Sequence, residues 1–372
     1  MTFNNAREGL IKLNSLTSFR FIAALLVYFY HVGIAKEFQT GYLGVSFFFM
    51  LSGFILVYNY KEKLIKLDPY QLKRFYIARV AKIYPIHFLT FLLAIPYYFF
   101  IPLKHEPFLY VFQAITNLLL IHSFIPFGNV SFNGVSWSLS DEMFFYLLFP
   151  FIVFYWMKVS FIKLVKLFVF IWIMTILLAL YIPNETNFSQ WFFYFFPGIR
   201  IVEFIGGMIL GGIFLKVKNI SNVSFFLFSF LEFFSILLFV GIVLISPQFS
   251  QNLRYGLMTI PAILFIIFVF AFQKGILSKF LSLKLFVYLG EISFSFYMVH
   301  NLFLSYILFL WKPNIDPIVT ISVCFLLSIS TSSLLFHLFE EPMRKKTKKI
   351  LAERLMNREK RKITNTQTKA IT

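Results

Sequence analysis

The chain has 372 residues, with 34 Lys and Arg against 16 Asp and Glu for a net charge of +18, 59% hydrophobic residues and 55 phenylalanines. Charged residues make up 13%, about half the ~25% of a soluble domain, and a globule of this size has too little interior to hide so much apolar surface. A single cysteine, Cys324, excludes a disulfide scaffold, high hydrophobicity excludes disorder outside the C-terminus, and a polytopic membrane protein remains.

The opening residues, MTFNNAREGLIKLNSLTSFR, lack the short apolar region and small-residue cleavage site of a signal peptide, so the first apolar run is expected to stay as a span. A helix crossing ~30 Å of hydrocarbon needs about 20 mostly apolar residues. Runs of this kind cover 16–34, 43–60, 83–101, 137–157, 165–182, 197–215, 224–245, 255–272, 286–310 and 318–339, which predicts ten transmembrane helices. An eleventh run, 108–125, carries Gln113, Asn117 and His122 and leads into the Pro- and Gly-containing SFIPFGNVSFNG.

The distribution of Lys and Arg decides how that run is placed. Basic stretches at 61–82, 158–166, 216–218, 273–284 and in the C-terminal tail alternate with Lys- and Arg-poor connections at 36–42, 183–196, 246–251 and 312–317. If 108–125 does not cross, every basic loop and both termini fall on the cytoplasmic side. If it crosses, everything after Ile125 inverts. The first arrangement predicts an all-α polytopic membrane protein of about ten transmembrane helices with both termini cytoplasmic. Residues 108–125 then form a partial or re-entrant element, tolerable at that depth where it is buried in protein or lines a water-filled cavity. Residues 1–342 form the integral-membrane domain and 343–372 a basic cytoplasmic tail, opposed only by Glu353 and Glu359. Attraction to anionic lipids, about 1 kcal/mol per basic residue near the surface, accounts for that tail better than nucleic-acid binding does. No appended domain, repeat or low-complexity segment is legible.

An ionisable side chain inside a span is a functional candidate by default. In the first span Arg20 and His31 stand eleven residues apart. That is ~16 Å along a helix and close to three full turns, so both project from nearly one face. A snorkelling side chain is the alternative for Arg20 alone. The segment Trp137-Ser-Leu-Ser-Asp-Glu142 opens the fourth span. Its adjacent carboxylates point about 100° apart, so one of Asp141 and Glu142 is expected to face the bundle interior. Glu142 at the depth of His31 would make a general base with its orienting partner; a structural ion pair is the other reading. The third span begins with Arg74, Arg79 and Lys82, then Tyr84-Pro85 and His87. Such cations beside aromatic rings suit a phosphate-bearing anion, and equally suit lipid headgroups. His300 lies mid-span in the ninth helix, either on a pathway or as a packing histidine. His122 is a weaker candidate, and His87, His105 and His337 fall near span ends. No His, Cys, Asp or Glu grouping has metal-ligand spacing, and there is no phosphate-binding Gly-rich loop or nucleophile elbow.

Six ordered motifs carry a family resemblance: SFRFIAALLVYFYH (18–31), GYLGVSFFFMLSGF (41–54), Arg79-Val-Ala-Lys-Ile-Tyr-Pro85, Trp137-Ser-Leu-Ser-Asp-Glu142 continuing to Phe145-Tyr146-Leu-Leu-Phe-Pro150, Ile292-Ser-Phe-Ser-Phe-Tyr-Met-Val-His300 and Phe339-Glu340-Glu341-Pro342. Together they resemble the integral-membrane acyltransferase family 3, bacterial O-acyltransferases acting mainly on surface carbohydrates. The chain departs from the pattern at Ser46, a commonly acidic position, at Lys82, commonly Arg, and at Asp141-Glu142-Met143, commonly hydrophobic-Glu-Glu. The resemblance implies a bacterial cytoplasmic (inner) membrane enzyme moving an acyl group, most readily acetyl, from cytoplasmic acetyl-CoA or another acyl-CoA to a hydroxyl of a surface or lipid-linked carbohydrate. Acyl-CoA is then a co-substrate, and no cofactor or metal is permanently bound. By the same resemblance Arg79 and Lys82 hold the CoA, Arg20 guides its arm, and His31 acts as general base with Glu142. Trp137, Ser138 and His300 then line the acceptor side; for Trp137 an interfacial aromatic belt is the other reading. Direct transfer and an acyl-His intermediate both stand. A transporter or flippase of lipid-linked oligosaccharide is the alternative class, expected to show repeats with broken helices in matching halves.

Overall fold

Hydrocarbon offers no hydrogen bonds to a bare backbone, so a chain of this composition is driven to satisfy its amides within helices. The computed structural model describes residues 12–100, 107–126, 128, 130–156, 158–218, 224–311, 316–347, 349–350 and 353, and these contain no β-strand. In chain order the helices are α1 (Asn14–His31), α2 (Thr40–Leu64), α3 (Pro69–Phe100), α4 (Pro107–Leu118), α5 (Trp137–Trp156), α6 (Phe161–Tyr181), α7 (Asn187–Gln190), α8 (Pro197–Val217), α9 (Phe225–Ile245), α10 (Gln251–Arg254), α11 (Ile260–Ala271), α12 (Ile276–Leu281), α13 (Lys284–Trp311) and α14 (Pro317–Leu335). Residues 1–11, His105 and the tail from Arg354 onward lie outside the described residues, and with them the expectations of an uncleaved N-terminus and of a lipid-binding tail.

Among the described residues, 8 helices are long and apolar enough to cross a membrane: α2, α3, α5, α6, α9, α13, the stretch Asn187–Val217 that contains α8, and Pro317–Thr347 that contains α14. They coincide with eight of the ten expected spans, and the chain is a multi-pass membrane protein. The other two expected spans are α1 and α11. In α1 the apolar run is broken by Ser15, Thr17, Ser18 and Arg20. The 12 residues of α11 rise ~18 Å, short of the ~30 Å of hydrocarbon. The run 108–125 likewise supplies only the 12-residue α4. After it the chain continues without regular structure, apart from one 3₁₀ turn at His122–Phe124, until Trp137. Side-chain hydrogen bonds tie described parts of that backbone to its neighbours. Asn117 Nδ2 donates to the Ser131 carbonyl at 2.9 Å, Asn133 Nδ2 to the Met298 carbonyl at 2.8 Å, and Trp191 Nε1 to the Ser123 carbonyl at 3.0 Å.

Small residues set how the central helices approach one another. A Cβ on Gly207 would meet the Met50 carbonyl oxygen, and one on Gly211 would stand 2.9 Å from that of Phe54, so α2 and α8 are in backbone contact along a small-xxx-small face. Gly44 does the same against the Ala23 carbonyl between α2 and α1, and Gly290 against the Thr17 carbonyl between α13 and α1. These contacts make α1, α2 and α13 a tight inner group, with α6 and α9 at the periphery: 83% of the most apolar window of α2 is buried, against 11% for α6 and 17% for α9. Even α9 carries one buried carboxylate. Glu232 accepts the backbone N–H groups of Gly275 at 3.0 Å, Leu277 at 2.9 Å and Ser278 at 3.1 Å, capping the start of α12.

Candidate active site

A cavity of about 380 Å³ runs into the bundle between α1, α2, α3, α5 and α13. Its walls follow from helical spacing. On α2 the lining residues include Val45, Phe48, Ser52, Ile55 and Asn59, which recur every three or four positions on one face. Lys12 and Leu13 just before α1 join Leu16, Thr17 and Arg20 on it, and α3 adds Arg79, Lys82 and Ile83. α5 contributes Ser138 and Glu142, and α13 contributes Phe294 and Tyr297. Four cations, Lys12, Arg20, Arg79 and Lys82, therefore share the cavity with one carboxylate, Glu142, and its other walls are largely apolar.

Each charge is held by a specific partner set. Arg79 donates from Nη2 to the Tyr60 hydroxyl at 3.1 Å, and its guanidinium lies 5.3 Å from the Tyr60 ring and 5.6 Å from the Tyr146 ring. Glu142 Oε1 accepts from Ser52 Oγ at 3.0 Å and from the Tyr146 hydroxyl, and those two hydroxyls are themselves 3.1 Å apart. Lys82 lies within electrostatic reach of Glu142, Arg20 and Arg79. Arg20, Arg79, Lys82, Ser138 and Glu142 thus line one cavity.

His31 is elsewhere. It is the last residue of α1, ~16 Å beyond Arg20 at 1.5 Å per residue, and it is not among the cavity-lining residues. Its Nδ1 lies 2.9 Å from Nε2 of His300, and the ring centroids are 5.1 Å apart. The expected pairing of His31 with Glu142 is therefore corrected: the partner of His31 is His300, and that of Glu142 is the Ser52–Tyr146 pair. The reason is placement. Glu142 lies about one and a half turns into α5, facing the cavity beside Ser52 of α2, whereas His31 ends α1 outside the cavity lining. The tautomers follow from the acceptors. His300 Nδ1 faces the Phe296 carbonyl at 3.2 Å, a pure acceptor, so for neutral rings that nitrogen carries the proton and Nε2 accepts. His31 then donates from Nδ1, which leaves its own Nε2 with a free lone pair.

A second expectation is also corrected. Both carboxylates of the Asp141–Glu142 pair face inward, because α5 has protein on two sides: Glu142 lines the cavity, while Asp141 is fully buried within reach of Arg200 and Glu203. Arg200 and Glu203 are residues that the sequence reading passed over. They form a buried ion pair at 3.2 Å on α8. The guanidinium lies 3.6 Å from the Tyr42 ring centroid, and Glu203 Oε1 accepts from Ser46 Oγ at 2.9 Å and from the Tyr42 hydroxyl at 3.2 Å. A carboxylate thus does stand at Ser46, carried by another helix. An Arg and a Glu three residues apart within the apolar run 197–215 were a signal available in the sequence. Trp137 is buried, with its ring 5.2 Å from that of Tyr194 and 5.0 Å from that of Phe195, so its neighbours cover both the face and the edge. His87 and His122 bond within the α3–α4 region, to the Asn117 carbonyl at 3.0 Å and Ser136 Oγ at 3.2 Å. Among the described residues no three His, Cys, Asp or Glu side chains are grouped to hold a metal ion.

The fold and site define a multi-pass helical membrane protein with a cation-lined cavity and, apart from it, a histidine pair of which His300 is buried and His31 half-buried. The acyltransferase domain family matches residues 13–337, and the chain belongs to that family. It is 26% identical over 362 residues to the peptidoglycan O-acetyltransferase OatA of Listeria monocytogenes, a match covering 89% of this chain and 56% of the relative. It is 23% identical over 355 residues to the O-acetyltransferase OatA of Staphylococcus aureus, covering 91% and 58%. With the acyltransferase MdmB of Streptomyces mycarofaciens it shares 36% identity over 156 residues, 38% of this chain and 39% of that protein. The chain thus spans roughly two-fifths to three-fifths of the length of these relatives. No solved structure matches it.

Proposed function

We propose that this chain is a membrane O-acetyltransferase that carries an acetyl group from acetyl-CoA, taken up on the cytoplasmic side of a bacterial cytoplasmic membrane, to a hydroxyl of a surface or lipid-linked carbohydrate. The observation that carries this reading is the cavity itself: Arg20, Arg79 and Lys82 line a space of about 380 Å³ whose other walls are largely apolar, a setting for an anion at the end of a long, mostly uncharged arm. The phosphates of CoA dock on Arg79 and Lys82 at the mouth, where bidentate and charge-assisted hydrogen bonds are strongest. The pantetheine arm runs upward past Asn59, Ser52 and the Glu142–Tyr146 pair, whose polar atoms suit its amides. In this topology all ten apolar runs span or fill the membrane, both termini are cytoplasmic, and the basic tail lies on anionic lipid.

Chemistry then occurs at His31. Its free Nε2 takes the proton of the sugar hydroxyl as the oxygen attacks the thioester carbon. The C–O bond forms, the C–S bond breaks, and the proton passes from His31 to the departing CoA thiolate. His300 holds the productive tautomer of His31, so Glu142 is freed for a role in the cavity. Holding thioester and hydroxyl together in a water-poor space supplies the remaining acceleration.

The test uses membrane vesicles from cells expressing the full chain, given radiolabelled acetyl-CoA, with label counted in the glycan fraction. His31→Ala should abolish incorporation at an unchanged level of protein in the membrane. Full incorporation by that variant would remove His31 from the mechanism. Lys158→Cys should react with a membrane-impermeant thiol reagent only from the cytoplasmic side; the native Cys324 is buried and silent.

A further inference from the structure

Neither histidine of the pair lines the cavity, and the rings of Phe48 and Tyr297 lie between the two places. The lining face of α1 runs through Leu13, Leu16, Thr17 and Arg20 and stops there. The same helical face continues through Ala24 and Tyr28 toward His31. At that level Phe48 of α2 closes the space: it lines the cavity and also packs against the separate apolar cluster formed by Phe21, Ala24, Tyr28 and Phe296. Its ring meets that of Tyr297 edge-on, with centroids 5.9 Å apart, and Tyr297 lies 5.9 Å from the ring of His300.

The two rings of this partition differ in freedom. Tyr297 is buried, and its hydroxyl donates to the Val135 carbonyl at 3.0 Å while accepting from Ser138 Oγ at 2.7 Å. It is a fixed wall. Phe48 is half-buried, packs against apolar residues of both the main cluster and the smaller one, has no polar anchor, and lines the cavity. A turn about χ1 is the motion by which such a ring passes between staggered wells, and the cavity is the space on its near side.

We propose that Phe48 is the gate between the acyl-CoA cavity and the His31–His300 pair, and that the space it vacates sets the length of acyl group transferred. This rests on the acyl-transfer reading above. Closed, the ring keeps the thioester away from His31 and keeps water on the far side from the thioester. Open, it admits an acyl group about as small as the volume it leaves. One methylene against a closed apolar wall changes selectivity by roughly 10–200-fold, so a two-carbon group passes and a four-carbon group is held back.

The experiment compares labelled acetyl-CoA with labelled butyryl-CoA in vesicles bearing the full chain, counting label in the glycan fraction. The ratio of the two rates is independent of how much protein folds, which protects the result against a destabilised variant. Phe48→Ala should raise the butyryl-to-acetyl ratio by about tenfold or more, and Phe48→Leu by less. An unchanged ratio in both variants, or a wild type that already uses the two thioesters equally, overturns the gate. Wild-type vesicles that incorporate neither label overturn the acyl-transfer reading along with it, a result distinct from the other two.

Discussion

Removing the imidazole of His300 tests the inner end of the site. In His300→Ala the Nδ1–H of His31 loses the acceptor now 2.9 Å away, in a half-buried position. Stranding a buried donor costs about 1–3 kcal/mol. If that cost is borne in the transition state, at about 1.36 kcal/mol per factor of ten, the rate falls roughly 5- to 150-fold. The loss stays below that of His31→Ala, because general-base catalysis as a whole is worth about 10²–10⁴-fold. His300→Gln offers a carbonyl oxygen in place of Nε2 and should recover most of the rate, whereas a purely structural role for His300 gives no reason for Gln to outperform Ala. The assay is the initial rate of acetyl incorporation at saturating acetyl-CoA, normalised to protein in the membrane. An Ala variant as fast as wild type, or a Gln variant no better than Ala, refutes the assignment of His300 as the residue that orients His31.

Four further outcomes concern the scaffold. Glu232→Ala leaves the Gly275, Leu277 and Ser278 amides without their acceptor, and should lower the thermal unfolding midpoint in detergent by an amount equivalent to about 1–3 kcal/mol, with Glu232→Gln intermediate. Gly207→Leu drives a side chain into the Met50 backbone and should abolish the monodisperse peak in size-exclusion chromatography. Gly241→Ala, with nothing within 4 Å of the new Cβ, should be neutral or stabilising by about 0.5–1 kcal/mol. Glu203→Ala uncovers the buried charge of Arg200 and should destabilise the fold by about 3–5 kcal/mol. The double variant Glu203→Ala/Arg200→Met should recover much of that loss, read as the unfolding midpoint of the purified protein.

Much of this protein is legible one segment at a time. Whether a run of twenty residues prefers hydrocarbon depends on that run alone, so composition suffices for the membrane class, and eight of the predicted spans coincide with long apolar helices. The motif residues Arg20, Arg79, Lys82, Ser138 and Glu142 stand out because polar groups in apolar runs are rare, and all five line one cavity. Arg200 and Glu203 obey the same rule and were open to the same reading. The partners were not legible. His31 meets His300 across 269 positions of sequence, and Glu142 meets Ser52 across 90. Those meetings depend on the depth and rotation of each helix, which are set by backbone contacts such as Gly44 on Ala23, Gly290 on Thr17 and Gly207 on Met50. Periodicity tells which face of a helix is polar. Which neighbour that face meets, and at what height, is a property of packing between distant segments, and it emerges only when all of them are in place.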